Sequence, residues 1–493
     1  MQLSQIISGC KIVQSELNLN QEIDGILSNI ENKANNKVFV AVKGLKHDGN
    51  EYIEKALKNG ACAFVTDSEE YYTKYTGKGI LVSNARSALA KMWSNYFGNP
   101  SKQMKMIAIT GTNGKTSTAY YIYNILKKSD IICGLISTIE IKISNKKVEL
   151  EEELYKKIST MTTPDPEELY NILSVMQKSG VQVVVFEASS HALALNKLDG
   201  IEIDIGIFTN LSSEHLDFHK NIDAYFSSKE LLFKKCGIGI VNLDDKYGER
   251  LKKLYHSRVF TISCEKNADY IASKIKCNKK GIEYTAQFEK THIRVKCKNK
   301  GKFSVYNTLM AIACANALGI NNKIIRRGIL ETSTIKGRLE QYNRRNIYID
   351  YAHTPDATKK VLLTIKEMHP NKKIIALFGC GGDRDKSKRS EIGCICSTYA
   401  DLSILTTDNS RNESSFDIIR DIVVGFGENK NYIIAINRRD AIKYGVKLLN
   451  RKSVLVLLGK GHENYEIIGE KQIPFDERRV LDDIYKNDKY QKT

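Results

Sequence analysis

The sequence predicts an α/β protein of three domains, with a central domain built on a P-loop-like glycine turn and a Rossmann-like, doubly wound C-terminal domain. Three observations carry this expectation. The chain has 493 residues; short apolar runs alternate with helical patterns along it; and a glycine loop sits between one run and one helix. At roughly 150 residues per domain, that length suits about three cores. Only 6 prolines and no low-complexity tract point to compact domains joined by short linkers.

The elements follow in order. Residues 37 to 42 (KVFVAV) and 61 to 66 (ACAFVT) read as short buried strands, with YIEKALKNG between them as a helix with a glycine stop. KMIAIT at 105 to 110 opens a second set, a strand entering a glycine turn and then the helical TSTAYYIYNILKK. VQVVVFE, IDIGIFTN and GIGIVNL continue that set. A third begins after GRLE (337 to 340), with NIYIDYAH, KKIIALFG, DLSILTT and SVLVLLGKG as its strands. Strands alternating with helices give mostly parallel sheets covered on both faces. The expected domains are 1–103, 104–335 and 336–493. Ligands of such sheets sit at the carboxyl ends of the strands, where Gly111, Glu187, Asn210, Asp350, Gly379, Asp408 and Gly459 all fall.

The net charge of +18 is spread along the whole chain. No RNP-like aromatic segment or zinc finger accompanies it, so no nucleic-acid partner is expected. The 11 cysteines contain no CxxC pair and read as reduced, mostly buried thiols. The first twenty residues hold no basic run leading into an apolar core. No stretch approaches the ~20 apolar residues that span a bilayer, so a cytoplasmic chain with no membrane insertion is expected.

The loop Thr110-Gly111-Thr112-Asn113-Gly114-Lys115-Thr116, followed by Ser117, has the features of a phosphate cradle. Glycines let backbone N–H groups approach phosphates, Lys115 supplies positive charge and Thr116 offers a hydroxyl to Mg²⁺. Ile109 stands where the first glycine of GxxxxGK[ST] belongs.

TGTNGKTS resembles the form this loop takes in the Mur ligase family. Further matches follow in order: TTPDP (162 to 166), EASSHAL (187 to 193), TNLSSEHLDFH (209 to 219), YFSSKELLF (225 to 233), FSVYN (303 to 307), GRLE, DYAHTPDA (350 to 357), FGCGGDRDKSKR (378 to 389), DNSR (408 to 411) and GKGHE (459 to 463). The resemblance implies an N-terminal UDP-binding domain, a central ATPase and a C-terminal amino-acid-binding domain. It also implies an ATP-dependent ligase in peptidoglycan precursor synthesis that forms an amide bond through an acyl phosphate. The implied substrates are UDP-MurNAc-L-Ala-D-Glu and a diamino acid, meso-diaminopimelate, acted on by a monomer.

The resemblance assigns residues as follows. Gly111, Thr112, Asn113, Gly114, Lys115, Thr116, Ser117, Asn307, Arg338 and His353 would bind ATP. Glu187, His215 and Thr116 would hold Mg²⁺ together with Lys229, carbamylated by CO₂, because a carbamate anion can face a cation that a free ammonium would repel. Lys115, Lys229, His215 and Glu187 would form the catalytic set. Ser28, Thr162, Thr163, Ser190 and Lys197 would face the UDP-muramoyl peptide. Lys197 stands where the family usually has arginine, and Leu27-Ser28-Asn29 replaces the family's Asp-Ser-Arg. Arg389, Asp408, Asn409, Arg411, Gly459 and Glu463 would bind the amino acid. In this assignment Arg411 and Arg389 pair with its distal carboxylate and Glu463 accepts from its distal ammonium, while Ser410 replaces the family's proline. Two other readings compete: a diverged ligase using L-lysine, another amino acid or another carboxylate acceptor, and a basic P-loop ATPase stimulated by nucleic acid. The second leaves GGDRDKSKR and DNSR without a role.

Overall fold

The apolar runs form strands where the alternation places them. The computed structural model describes residues 1–29, 34–44, 47–144, 146–147 and 161–490. Contacts divide the chain into two units. One comprises Met1–Thr110, Asp130–Ile207 and Ser228–Gly239; the other comprises Gly111–Ser129, Phe208–Ser227 and Ile240–Thr493.

The first unit contains a five-stranded sheet in the order Ile12–Ser15, Gly79–Val82, Ala63–Thr66, Lys37–Val40, Gly25–Leu27, parallel except for the first pair. Ala63–Thr66 and Gly79–Val82 are buried along their whole length, as apolar strands covered on both faces must be. The same unit aligns Lys105–Thr110, Val183–Glu187 and Cys133–Ile136 in parallel, with Glu187 at the last position of its strand, opposite Ile109. The helix Pro166–Lys178 has proline and two glutamates in its first turn, an arrangement suited to a helix N-terminus. It buries Leu169, Ile172, Leu173 and Met176 on one face.

In the second unit the helix Lys115–Lys128 packs against Phe303–Ala317 and Asn322–Glu331. An antiparallel meander runs through Tyr270–Asn278, Gly281–Phe288 and Thr291–Cys297. The parallel pattern did not foretell this meander, whose last two strands alternate buried positions with half-buried or exposed ones. A six-stranded sheet follows in the order Glu340–Gln341, Ile347–Asp350, Ser453–Leu458, Lys373–Phe378, Leu402–Leu405, Tyr432–Ile434, parallel apart from its first pair. Two apolar clusters cover its faces, one around Phe378, Val456 and Ile422, the other around Leu377, Leu457 and Ile442. Its carboxyl ends lead into 379–389, 408–411 and 459–463, and a hairpin, Tyr465–Ile468 with Lys471–Pro474, follows the last of these.

Candidate active site

The phosphate-type loop is held from behind by the TNLSS segment. The Asn113 N–H donates to Asn210 Oδ1 at 3.0 Å, and its carbonyl accepts from Thr209 Oγ1 at 2.6 Å and Asn210 Nδ2 at 3.0 Å. Thr112 Oγ1 accepts from the Ser212 amide at 3.0 Å. Two glycines are required here. Gly111 has φ +142° and a Cβ on it would lie 1.9 Å from Thr209 Oγ1; Gly114 has φ +89° and a Cβ there would lie 2.6 Å from Asn307 Oδ1. The helix begins at Lys115, so its first amides face the loop as an anion-binding end. The Lys115 ammonium closes over the loop, donating to the Gly111 and Thr112 carbonyls at 2.8 and 2.9 Å.

Other expected nucleotide residues converge on this loop. Asn307 is buried on Phe303–Ala317 and accepts from Thr118 Oγ1 at 3.4 Å. Arg338 donates to Thr116 Oγ1 at 3.0 Å, and its guanidinium lies 4.8 Å from the centre of the Tyr351 ring. His353 places Nδ1 2.7 Å from the Tyr351 carbonyl and Nε2 2.9 Å from Glu214 Oε1. Burial works against the charge of Glu214, but His215, His353 and Lys115 more than offset it and hold its carboxyl well below the ordinary range. Glu214 and Tyr351 were not singled out from the sequence, although both stand inside quoted motifs.

The candidate cation ligands are placed as follows. His215 has φ +57° at the start of Leu216–His219, with Nε2 3.8 Å from Glu214 Oε1. Glu187 is 1% exposed and accepts from the amide and hydroxyl of Thr138 at 2.8 and 3.0 Å. Those donors orient a carboxylate without neutralising it, which fits a ligand for a hard cation. Lys229 is 1% exposed on Ile222–Lys235, so it is no solvated surface lysine. Thr116 and His215 fall in one unit and Glu187 and Lys229 in the other.

The residues expected to face the muramoyl peptide lie in the first unit. Thr163 Oγ1 donates to the Glu187 carbonyl at 2.8 Å and accepts from the Ser189 amide at 3.0 Å. Thr162 Oγ1 accepts from Thr138 Oγ1 at 3.3 Å. Ser190 is the buried first residue of Ser190–Ala194, Lys197 forms an ion pair with Asp165 of TTPDP, and Ser28 directly follows the strand Gly25–Leu27.

The second unit holds a cavity of about 160 Å³ at the carboxyl ends of its six-stranded sheet. Asp408, Asn409, Arg411, Gly459 and Glu463 line it, together with Tyr351, His353, Glu214 and His215. A larger hollow, about 500 Å³, lies in the first unit at the amino ends of Lys105–Thr110 and Val183–Glu187, the end opposite to Glu187, and holds none of the expected residues. Arg411 has φ +50°, and its amide donates to the Ile467 carbonyl at 3.0 Å. One guanidinium nitrogen donates to the Gly382 and Asn409 carbonyls at 2.8 and 3.3 Å. Among the described residues Arg411 forms no ion pair, and burial followed by the charge of Arg384 lowers its pKa. Two adjacent guanidinium groups in such a place call for an anion. Asp408 and Glu463 line the same cavity, with the fully buried Lys460 between them, a residue that sequence reasoning passed over.

Arg389 is placed differently from the other expected amino-acid residues. Arg389 is 0% exposed, does not line the cavity, and spends both terminal nitrogens on Glu413 at 2.9 Å, Asp421 at 2.8 Å and the Gly381 carbonyl at 3.2 Å. A guanidinium committed in this way braces the 379–389 loop, and its Nε is the one nitrogen of the group without a hydrogen-bond partner.

A glycine loop on a helix N-terminus, an arginine reaching its threonine and an amino-acid-sized pocket beside them define the class: the chain belongs to the Mur ligase family. The family's middle-domain model matches residues 109–315, its glutamate ligase domain 337–461 and its catalytic domain 30–97. Members of the family are ATP-dependent, ADP-forming amino-acid ligases. Among its relatives is the UDP-N-acetylmuramoyl-L-alanyl-D-glutamate--2,6-diaminopimelate ligase of Caldanaerobacter subterraneus subsp. tengcongensis, 39% identical over 490 residues that span 98% of this chain and 99% of the relative. The enzyme of the same name from Clostridium tetani is 40% identical over 498 residues, covering 98% and 99%. A solved structure of an enzyme with that name superposes with a TM-score of 0.68 at 26% identity, covering 99% of both chains. MurF ligase from Thermotoga maritima in complex with ADP shares the fold, with a TM-score of 0.59 at 16% identity over 95% and 98%.

Proposed function

We propose that the chain adds meso-diaminopimelate to UDP-MurNAc-L-Ala-D-Glu, as a cytoplasmic monomer with domains at 1–103, 104–335 and 336–493. The observation that carries this reading is the presence, in one cavity, of Arg411 and Arg384 together with the carboxylates Asp408 and Glu463. Such a pocket suits the zwitterionic distal end of a diamino diacid, a carboxylate on the arginine side and an ammonium on the glutamate side.

In the proposed reaction the terminal carboxylate of the D-Glu residue attacks the γ-phosphorus of ATP, ADP leaves, and an acyl phosphate remains. The amine of diaminopimelate then attacks the acyl carbon, phosphate departs and the amine loses a proton. This chemistry needs positioning and positive charge more than an acid or base. The loop amides and Lys115 hold the phosphates, Arg338 supplies a second cation at Thr116, and Asn307 and His353 flank the nucleotide. Ser28, Thr162, Thr163, Ser190 and Lys197 hold the muramoyl peptide. Glu187, His215, Thr116 and a carbamylated Lys229 would hold Mg²⁺, which when bound neutralises charge on the phosphate oxygens. The test is phosphate release from ATP with UDP-MurNAc-L-Ala-D-Glu and a panel of amino acids. Turnover that requires both the dipeptide and diaminopimelate supports the reading; phosphate release that needs no acceptor, or equal use of L-lysine, overturns it.

A further inference from the structure

Lys460 is 0% exposed, and its ammonium reaches four acceptors: the Tyr465 carbonyl at 2.8 Å, Asn409 Oδ1 at 3.0 Å, Glu463 Oε2 at 3.3 Å and Asp408 Oδ1 at 3.4 Å. An ammonium has three donors, so protein groups saturate this one and none remains for a ligand. Its partners belong to three segments: the 408–411 loop, the 459–463 turn and the hairpin that follows. Asn409 extends the tie, donating to Glu463 Oε2 at 3.0 Å and accepting from the Ile467 amide at 3.0 Å. Without a cation between them, Asp408 and Glu463 would be two buried like charges, which cannot both ionise near neutrality.

We propose that Lys460 is the positioning and specificity-determining residue of this pocket: it fixes Asp408 and Glu463 with one net negative charge between them, matched to a single distal ammonium on the incoming amino acid. The inference rests on reading the cavity as a diamino-acid subsite. Other groups act on the same pair. Arg438 faces Asp408 from the first turn of the helix Arg438–Leu448, Glu466 faces Lys460 from the hairpin, and Arg411 and the Tyr351 hydroxyl face Glu463. Burial and then the charge of Asp408 raise the Glu463 carboxyl above its ordinary value, with Lys460 opposing them. Burial opposes ionisation of Asp408 too, but Lys460 and Arg438 more than offset it and hold that carboxyl low. Removing Lys460 takes away the charge that opposes this rise, so Glu463 moves further up.

The experiment measures KM for diaminopimelate from pH 6.5 to 9, with ATP and the dipeptide saturating, in the parent, Lys460→Met and Lys460→Arg. Lys460→Met is expected to raise KM about 30-fold near neutrality, the scale of one desolvated charge contact, and the ratio to the parent falls as pH rises and Glu463 loses its proton. Protonation of the substrate amines is common to both proteins and cancels in that ratio. The KM for ATP stays at the parental value. A merely structural lysine would give a ratio flat with pH; that result, or an unchanged KM, overturns the proposal. Should Lys460→Met fail to fold, Lys460→Arg decides: a raised KM with the parental pH profile supports the proposal, since charge is kept and placement lost, and an unchanged KM overturns it. If the parent itself does not prefer diaminopimelate to L-lysine, the reading of the cavity fails, whatever Lys460 does.

Discussion

Replacing Arg411 by alanine should collapse the preference for diaminopimelate over L-lysine while leaving the fold intact. One nitrogen of the fork is spent on the Gly382 and Asn409 carbonyls, so the side chain has one edge to offer a distal carboxylate. Charge-assisted hydrogen bonds contribute roughly 1.5–3 kcal/mol each, and a two-bond pair in a half-buried site about 3–4 kcal/mol. At ~1.4 kcal/mol per decade that is a preference of about 10²–10³ in kcat/KM, because lysine lacks the carboxylate and leaves the arginine unsatisfied. Arg411→Ala is expected to lose about that factor for diaminopimelate and to change lysine use little. The φ of +50° adds little to the cost, since arginine already bears the left-handed penalty that alanine would. The assay is kcat/KM for each amino acid by coupled phosphate release, with the melting temperature as a control for folding. An unchanged ratio of the two efficiencies would refute the assignment of Arg411, and so would a parent that uses both amino acids equally.

Three further outcomes are expected. Lys115→Ala should cut ATP-driven ligation by about 10³-fold or more with a melting temperature within a few degrees of the parent, because the phosphates lose their fixed cation; near-normal turnover would show the loop misread. Lys229→Ala should be nearly inactive and partly rescued by formate or acetate, which can stand in for a carbamate beside a divalent cation; an active variant would remove Lys229 from the site. The fork of Arg389 holds the Glu413 carboxyl down to about 2, from an ordinary 4.5. A depressed carboxylate contributes stability that is present above its unfolded pKa and lost as pH falls through its folded one. Unfolding free energies of the parent and Glu413→Gln from urea titrations should therefore differ most above pH 4.5, by about 2–3 kcal/mol, and converge toward pH 2; a gap independent of pH would refute the pairing.

Much of the local structure follows from the sequence alone. Apolar runs such as MIAIT and SVLVLL become the strands within Lys105–Thr110 and at Ser453–Leu458 because only strands covered on both faces bury every side chain of such a run. Gly111 and Gly114 are dictated by chain geometry, since no Cβ fits where Thr209 and Asn307 approach. The 270–297 meander escaped because an alternating pattern of weakly apolar residues looks like surface until its partner strands exist.

What tertiary structure decided is how the charged groups pair. Arg389 and Arg411 are equally plausible carboxylate partners on paper, yet folding hands Arg389 to Glu413 and Asp421 and leaves Arg411 in the cavity wall. Lys460 reads as an ordinary motif lysine until the 408–411 loop and the hairpin close around it, and Glu214 stands 139 residues from the His353 it meets. The physical reason is range. Hydrophobic periodicity is set by neighbours along the chain, whereas the partner of a charge is set by what folding brings within about 4 Å, a distance that separation along the sequence does not encode.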